Sequence, residues 1–243
     1  LGALSTAILV VAGDIDAEEL RPLAQRHYGR LRPTRDLPAR TWTADPPAIG
    51  PMRITHSDEK VRQPSLSRLY RAISYGTDEG RQAHALDVAM EILGGSETSR
   101  LYRALVEEQA IAVRASAGAN TSGLGGGSVW LSVTPAEGVD LQTLEAAADA
   151  VIAAFLRDGP TEEELTRAKS SLAAAAIYAR DSQVSLANIY GAALTQGESI
   201  DDIVTWGDDI QAVTRDEVLD IARASMNMDA SVTGWLTPPE GEQ

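Results

Sequence analysis

The feature that most restricts how this chain can fold is the joint at residues 92 to 106, Ile-Leu-Gly-Gly-Ser-Glu-Thr-Ser-Arg-Leu-Tyr-Arg-Ala-Leu-Val. Gly94 and Gly95 end one helix, because glycine surrenders the most backbone entropy when held helical. A hydroxyl-rich stretch then opens another. Ser96, Thr98 and Ser99 are candidate N-cap acceptors for the amides that a first helical turn leaves unbonded. Leu101, Leu105 and Val106 give the second helix an apolar stripe, with Arg100, Arg103, Glu107 and Glu108 on its wet side.

Around this joint the chain alternates strand and helix signals. Thr6 to Ala12 is rich in β-branched residues and closes at Gly13-Asp14, a buried-strand pattern. Asp16 follows as a helix cap, with Glu18 and Glu19 in the first turn, and that helix stops near Gly29. Pro33, Pro38, Pro46, Pro47 and Pro51 then mark a connector with little apolar periodicity. Beyond it the spacing predicts strands at 52–56 and 65–74, a helix over 80–93, the joint helix over 99–108, and strands at 110–119 and 128–134. Helices follow over 141–157, 161–179, 185–195, 200–212 and 215–225, with a last strand at 230–236. Thr161 with Glu164 forms a capping box, and Thr214 caps the final helix. Antiparallel hairpins with helices on one face make the class α+β, a two-layer sandwich.

Composition narrows the functions open to such a fold. A hydrophobic content of 44% supports a sizeable core, and no apolar run is long enough for a transmembrane helix. The net charge of −14 is spread along the helices and lacks the clustered Lys and Arg that phosphate binding requires, so nucleic acid is not expected as a partner. Without cysteine there are no disulfides, thiolate metal sites or Cys nucleophiles. A single Phe and few other aromatics argue against base-stacking platforms. The chain begins with Leu1, which leads us to expect further sequence upstream.

The residues that could carry chemistry are few. His27, His56 and His84 read as isolated side chains, and a catalytic zinc needs three protein ligands. Gly123-Leu124-Gly125-Gly126-Gly127-Ser128 lies between two strands and opens no helix, so it reads as a hairpin loop, not a phosphate cradle. No Gly-x-Ser-x-Gly elbow occurs. From the residues alone, catalytic and metal-ligating positions are none.

The joint, continued through Glu107-Glu108-Gln109-Ala110-Ile111-Ala112-Val113, resembles the signature of the second domain of pitrilysin/insulinase-type zinc peptidases. Gly94, Gly95, Ser99, Arg100 and Leu101 are its structural residues. The resemblance implies a clamshell of two such halves closing around an unfolded peptide. The zinc-binding His-x-x-Glu-His of the family lies in the first half; there zinc activates a water and the glutamate acts as general base. That motif is absent from this sequence, so zinc is expected only in the parent's first domain and no cofactor in this chain. By the same resemblance, residues 1–32 are the last strand and helix of the first domain. Residues 33–50 are the linker, 51–237 the non-catalytic domain, and 238–243 a disordered tail.

Relatives present an arginine–tyrosine pair toward substrate from the strands after the joint. Residues 117–129 contain neither, so the resemblance does not extend to that pair. Tyr178-Ala179-Arg180-Asp181-Ser182 and the ending Val232-Thr233-Gly234-Trp235-Leu236 resemble relatives with an intact zinc motif; the plain reading of Arg180 and Asp181 is a helix-end ion pair. Asn120, Arg180 and Asp181 are the substrate-facing candidates. The implied partners are the N-terminal zinc domain or a homologous subunit, and unfolded peptide. A scaffold subunit of a heteromeric complex, or a peptide-binding module that forms a homodimer, are alternatives. Bacterial relatives suggest a periplasmic setting, with the cytoplasm as alternative.

Overall fold

Alternation along one strand sets the layering. In β2 (Ser65–Ala72) Leu66, Arg68 and Tyr70 are buried, while Ser67, Leu69 and Arg71 face the other way. A computed structural model describes residues 7–31, 46, 50–77 and 80–239. Strand β2 pairs antiparallel with β4 (Gly127–Pro135) on one side and β5 (Ser231–Thr237) on the other. β3 (Ala112–Asn120) pairs antiparallel with β4, with a register shift between Ala112 and Arg114. β1 (Met52–Ser57) lies at the opposite edge, giving the order β1-β5-β2-β4-β3.

The sheet is thus antiparallel except at β1, which runs parallel to β5. The hairpin expected between the first two strands does not form, because the C-terminal strand inserts between them. Residues 58–64 are too many for a two-residue turn that would hold β1 against β2.

The helices that carry core residues cover one face. α1 is Ala17–His27, and α2 (Ala83–Met90) continues as a π-helical turn at Glu91–Gly95. α3 (Arg100–Tyr102) continues as a second π-helical turn at Arg103–Glu108. α4 (Leu141–Asp158), α5 (Glu162–Arg180), α6 (Gln183–Gln196), α7 (Ile200–Ala212) and α8 (Arg215–Ser225) complete the layer. Thr161–Glu164 and Thr214–Glu217 close the capping boxes that the sequence predicts or begins, and Ser199–Asp202 makes a third. Leu66, Val129, Leu131 and Val133 from the sheet meet Leu86, Leu93, Leu101, Leu105, Leu144 and Phe155 from the helices in one core.

A second expectation is overturned. Residues 7–12 form no strand, and Ile8, Leu9 and Val11 are exposed. A strand exists only where neighbouring chain pairs its amides and carbonyls, and among the described residues this segment is paired with none of the five strands. α1 forms as predicted but buries no residue, and Asp16 makes no side-chain cap bond. Most of the linker span, residues 33–45 and 47–49, and the tail from 240 to 243 lie outside the described residues.

Candidate functional site

The signature joint is a packing device. A Cβ on Gly94 would fall onto the backbone nitrogen of Ala117 and within 2.6 Å of its Cβ, so the π-helical turn rests directly on β3. Leu101 is fully buried, and its neighbour Arg100 reaches across to the start of α5. Its Nε and Nη2 each donate to Glu164 at 2.7 Å, Nη2 also donates to the Gly159 carbonyl at 2.8 Å, and the guanidinium sits 5.1 Å from the Phe155 ring centre. Burial alone would push the Glu164 carboxyl up, but the Arg100 hydrogen bonds and charge, with the Thr161 amide, outweigh it and hold it at about 2. Ser99 occupies the N-cap by backbone, yet its hydroxyl makes no cap bond; Ser96 Oγ and Thr98 Oγ1 instead face each other at 3.1 Å.

A second polar cluster ties the sheet to the helices. Arg68, 1% exposed, donates to Glu145 Oε1 at 2.6 Å and Thr233 Oγ1 at 2.8 Å, and pairs with Asp149. Glu145 also accepts from Arg53 at 2.7 Å and from Trp235 Nε1 at 2.9 Å, while Arg53 stacks over the Trp235 ring. Burial opposes charge on Arg68, but the Asp149 and Tyr70 hydrogen bonds prevail and its pKa is raised. The sequence held a signal for this: a lone arginine between Leu66 and Tyr70 on the inward face of an alternating strand.

A cleft of about 1010 Å³ is bounded by α2, α7 and α8. Tyr75, His84, Glu198 and Asp209 line it. Behind them Asp87 accepts from Tyr75 Oη at 2.7 Å and from Thr121 Oγ1 at 3.3 Å, and Tyr75 Oη accepts from Trp206 Nε1 at 3.0 Å. The His84 ring meets Tyr75 edge-on at 4.9 Å, and its Nε2 is 4.0 Å from Asp209 Oδ2. Burial raises the pKa of Asp87, as it does those of Tyr75, next to that carboxylate, and of Glu198, beside Asp202.

His84 is therefore not isolated, as the sequence reading had it. Asp87 stands one turn further along α2, and the three-residue spacing places both on one side of the helix. The pair nonetheless does not fit a zinc centre. Both Asp87 oxygens are engaged by Tyr75 and Thr121, and among the described residues no group of three His, Asp or Glu side chains could hold a metal ion.

The substrate-facing candidates separate. Asn120 ends β3, next to Thr121, and its side chain accepts from the Ser122 amide at 3.3 Å. The loop that follows is held between Gly76 and α6: Ser74 Oγ donates to the Gly123 carbonyl at 2.6 Å, and Leu124 Cδ2 lies 4.0 Å from where a Gly197 Cβ would be. Arg180 and Asp181 stand exposed at the end of α5 and do not line the cleft.

Residues 4–172 match the family described as the peptidase M16 inactive domain. No curated protein matches the sequence. Among solved structures, a protease from Helicobacter pylori is similar over 93% of this chain and 54% of its own, at 17% identity and a TM-score of 0.84. A peptidase M16 inactive domain from Pseudomonas fluorescens is similar over 95% of this chain and 53% of its own, at 20% identity and a TM-score of 0.76. The periplasmic protease PqqL from Escherichia coli is similar over 93% of this chain and 25% of its own, at 20% identity and a TM-score of 0.67. These likenesses establish the fold, and the chain spans about half the length of the first two proteins. With most of its length matched, the chain belongs to the peptidase M16 inactive-domain family.

Proposed function

We propose that this chain is the non-catalytic half of a bacterial zinc endopeptidase, walling a peptide chamber and clamping extended substrate. The observation that carries this is the match to an inactive peptidase domain over residues 4–172. The fate of α2 supports it. The helix has a histidine and a carboxylate one turn apart, but the carboxylate is spent on Tyr75 and Thr121. A general base must reach the proton it removes, and Asp87 stands half-buried behind the cleft wall with both carboxylate oxygens already hydrogen-bonded.

In this reading residues 1–32 belong to the end of the zinc-bearing half, 33–50 connect the halves, 51–237 form the chamber wall, and 238–243 are a free tail. Zinc and its ligands reside in the first half. Asn120, at the mouth of the β3–β4 loop, is the nearer of the candidate substrate contacts, and Arg180 and Asp181 are peripheral. The compartment is the periplasm, as the name of the PqqL structure says of that protein.

The test is a pair of measurements on the purified chain. A quenched fluorogenic peptide should remain uncut with or without added zinc, while a labelled unfolded peptide should raise its fluorescence anisotropy on titration. Chelator-sensitive cleavage, or no peptide binding at millimolar peptide, would refute the assignment.

A further inference from the structure

One methionine sulfur sits where the buried Arg68 cluster meets solvent. Of the four methionines, Met90 and Met226 are buried, whereas Met52 and Met228 are 55% and 40% exposed. Met228 opens the 3-10 turn Met228–Ala230 that leads into β5. Its Sδ accepts from Arg68 Nη1 at 3.5 Å and from Tyr70 Oη at 3.6 Å. Among the described residues no other methionine sulfur receives a hydrogen bond.

Both donors are buried and committed. The Tyr70 hydroxyl accepts from Arg68 Nη1 at 3.3 Å, so its own hydrogen goes to the sulfur, a weak acceptor. Arg68 at the same time holds Glu145, Asp149 and Thr233, and so ties β2 to α4 and β5. The turn that carries Met228 is pinned on either side. Met226 before it is buried, and Ser231 Oγ after it donates to the Met228 carbonyl at 2.7 Å. An oxygen added to the hydrogen-bonded side of the sulfur would therefore enter a space that Arg68 and Tyr70 already fill.

We propose that Met228 is a site of reversible oxidation by hydroperoxides, and that its sulfoxide loosens the Arg68 cluster joining β2 and β5 to α4. In the step, a sulfur lone pair attacks one oxygen of hydrogen peroxide. The S–O bond forms as the O–O bond breaks, and the second oxygen leaves with both hydrogens as water. Sulfur gives up two electrons and the peroxide is reduced by them; a thiol-dependent sulfoxide reductase reverses the change. Met52 provides the internal contrast. It is at least as open, at the start of β1, but its sulfur receives no hydrogen bond from the described residues and has no buried cluster to disturb. The inference stands independently of the proposed function.

The test treats the purified chain with hydrogen peroxide at neutral pH and follows sulfoxide at each methionine by peptide mass spectrometry, alongside the melting temperature. Met52 and Met228 should oxidise at least about tenfold faster than Met90 and Met226, because susceptibility follows exposure. The oxidised chain should melt about 4 °C or more below the untreated one, and this loss should keep pace with sulfoxide at Met228. Methionine sulfoxide reductases with a thiol reductant should restore the original melting temperature. Each variant is then compared with itself before and after oxidation. Met228→Leu should abolish the shift, and Met52→Leu should retain it in full. Oxidation of Met228 no faster than that of Met226 overturns the site. A melting temperature that ignores sulfoxide at Met228, or a shift that persists in Met228→Leu, overturns its coupling to Arg68.

Discussion

Arg68 on β2 and Glu145 on α4 meet at 2.6 Å beneath the sheet, and the same carboxylate receives Arg53 from β1 and Trp235 from β5. One acidic side chain from the helical layer therefore joins the three strands of the parallel edge. Arg68→Met would leave Glu145 short of its buried partner and should destabilise the protein by about 3 kcal/mol or more in urea titrations. Adding Glu145→Gln should recover part of that loss. Strict additivity of the two changes would show that the groups are not coupled.

Arg100 and Glu164 predict a pH response of defined sign. The Glu164 carboxyl, at about 2 in the folded protein against 4.5 ordinarily, is depressed. Its stabilisation is present above the ordinary value and is lost as pH falls from 4.5 toward 2. Glu164→Gln should cost about 1.5 kcal/mol at neutral pH, the scale of a charged hydrogen bond. The gap between the two proteins in thermal melts should close on acidification. A constant gap down to low pH would rule out the ion pair as its source.

Gly94 and Gly95 should differ sharply although they are adjacent. A methyl at Gly94 meets the backbone of β3, which cannot give way, and Gly94→Ala should cost about 3 kcal/mol, the upper range for overpacking. A methyl at Gly95 meets the end of the Glu91 side chain, whose Cδ would be 3.0 Å away and can rotate aside. Gly95→Ala should cost about 1 kcal/mol or less. Equal melting temperatures for the two variants would contradict the close approach.

Asp87 predicts the opposite pH trend from Glu164. Burial raises its folded pKa from 3.8, although hydrogen bonds from Tyr75 and Thr121 pull the other way. Its contribution is fully present below 3.8 and declines as pH rises through the raised folded value. The stability of the parent protein relative to Asp87→Asn should therefore fall between pH 4 and neutrality, read as a difference of melting temperatures. A flat difference would mean that the carboxyl titrates alike folded and unfolded.

What the sequence determined by itself is local. The alternation in residues 65–72, the glycine break at 94–95 and the caps at Thr161 and Thr214 each specify an element through neighbours within a few residues, so strands, helices and their order after residue 51 were legible. Tertiary structure decided everything that depends on a partner distant in the chain. Residues 7–12 have strand composition, yet among the described residues they pair with none of the five strands. β1 runs parallel to β5 because the last strand inserts beside it, a choice between distant segments that periodicity cannot express. His84 and Asp87 are one turn apart in the sequence, yet only the approach of Tyr75, Thr121 and Trp206 turns that spacing into a locked, half-buried cluster behind the cleft. Backbone propensity acts over one turn or one strand, whereas burial and charge pairing are properties of the assembled layers.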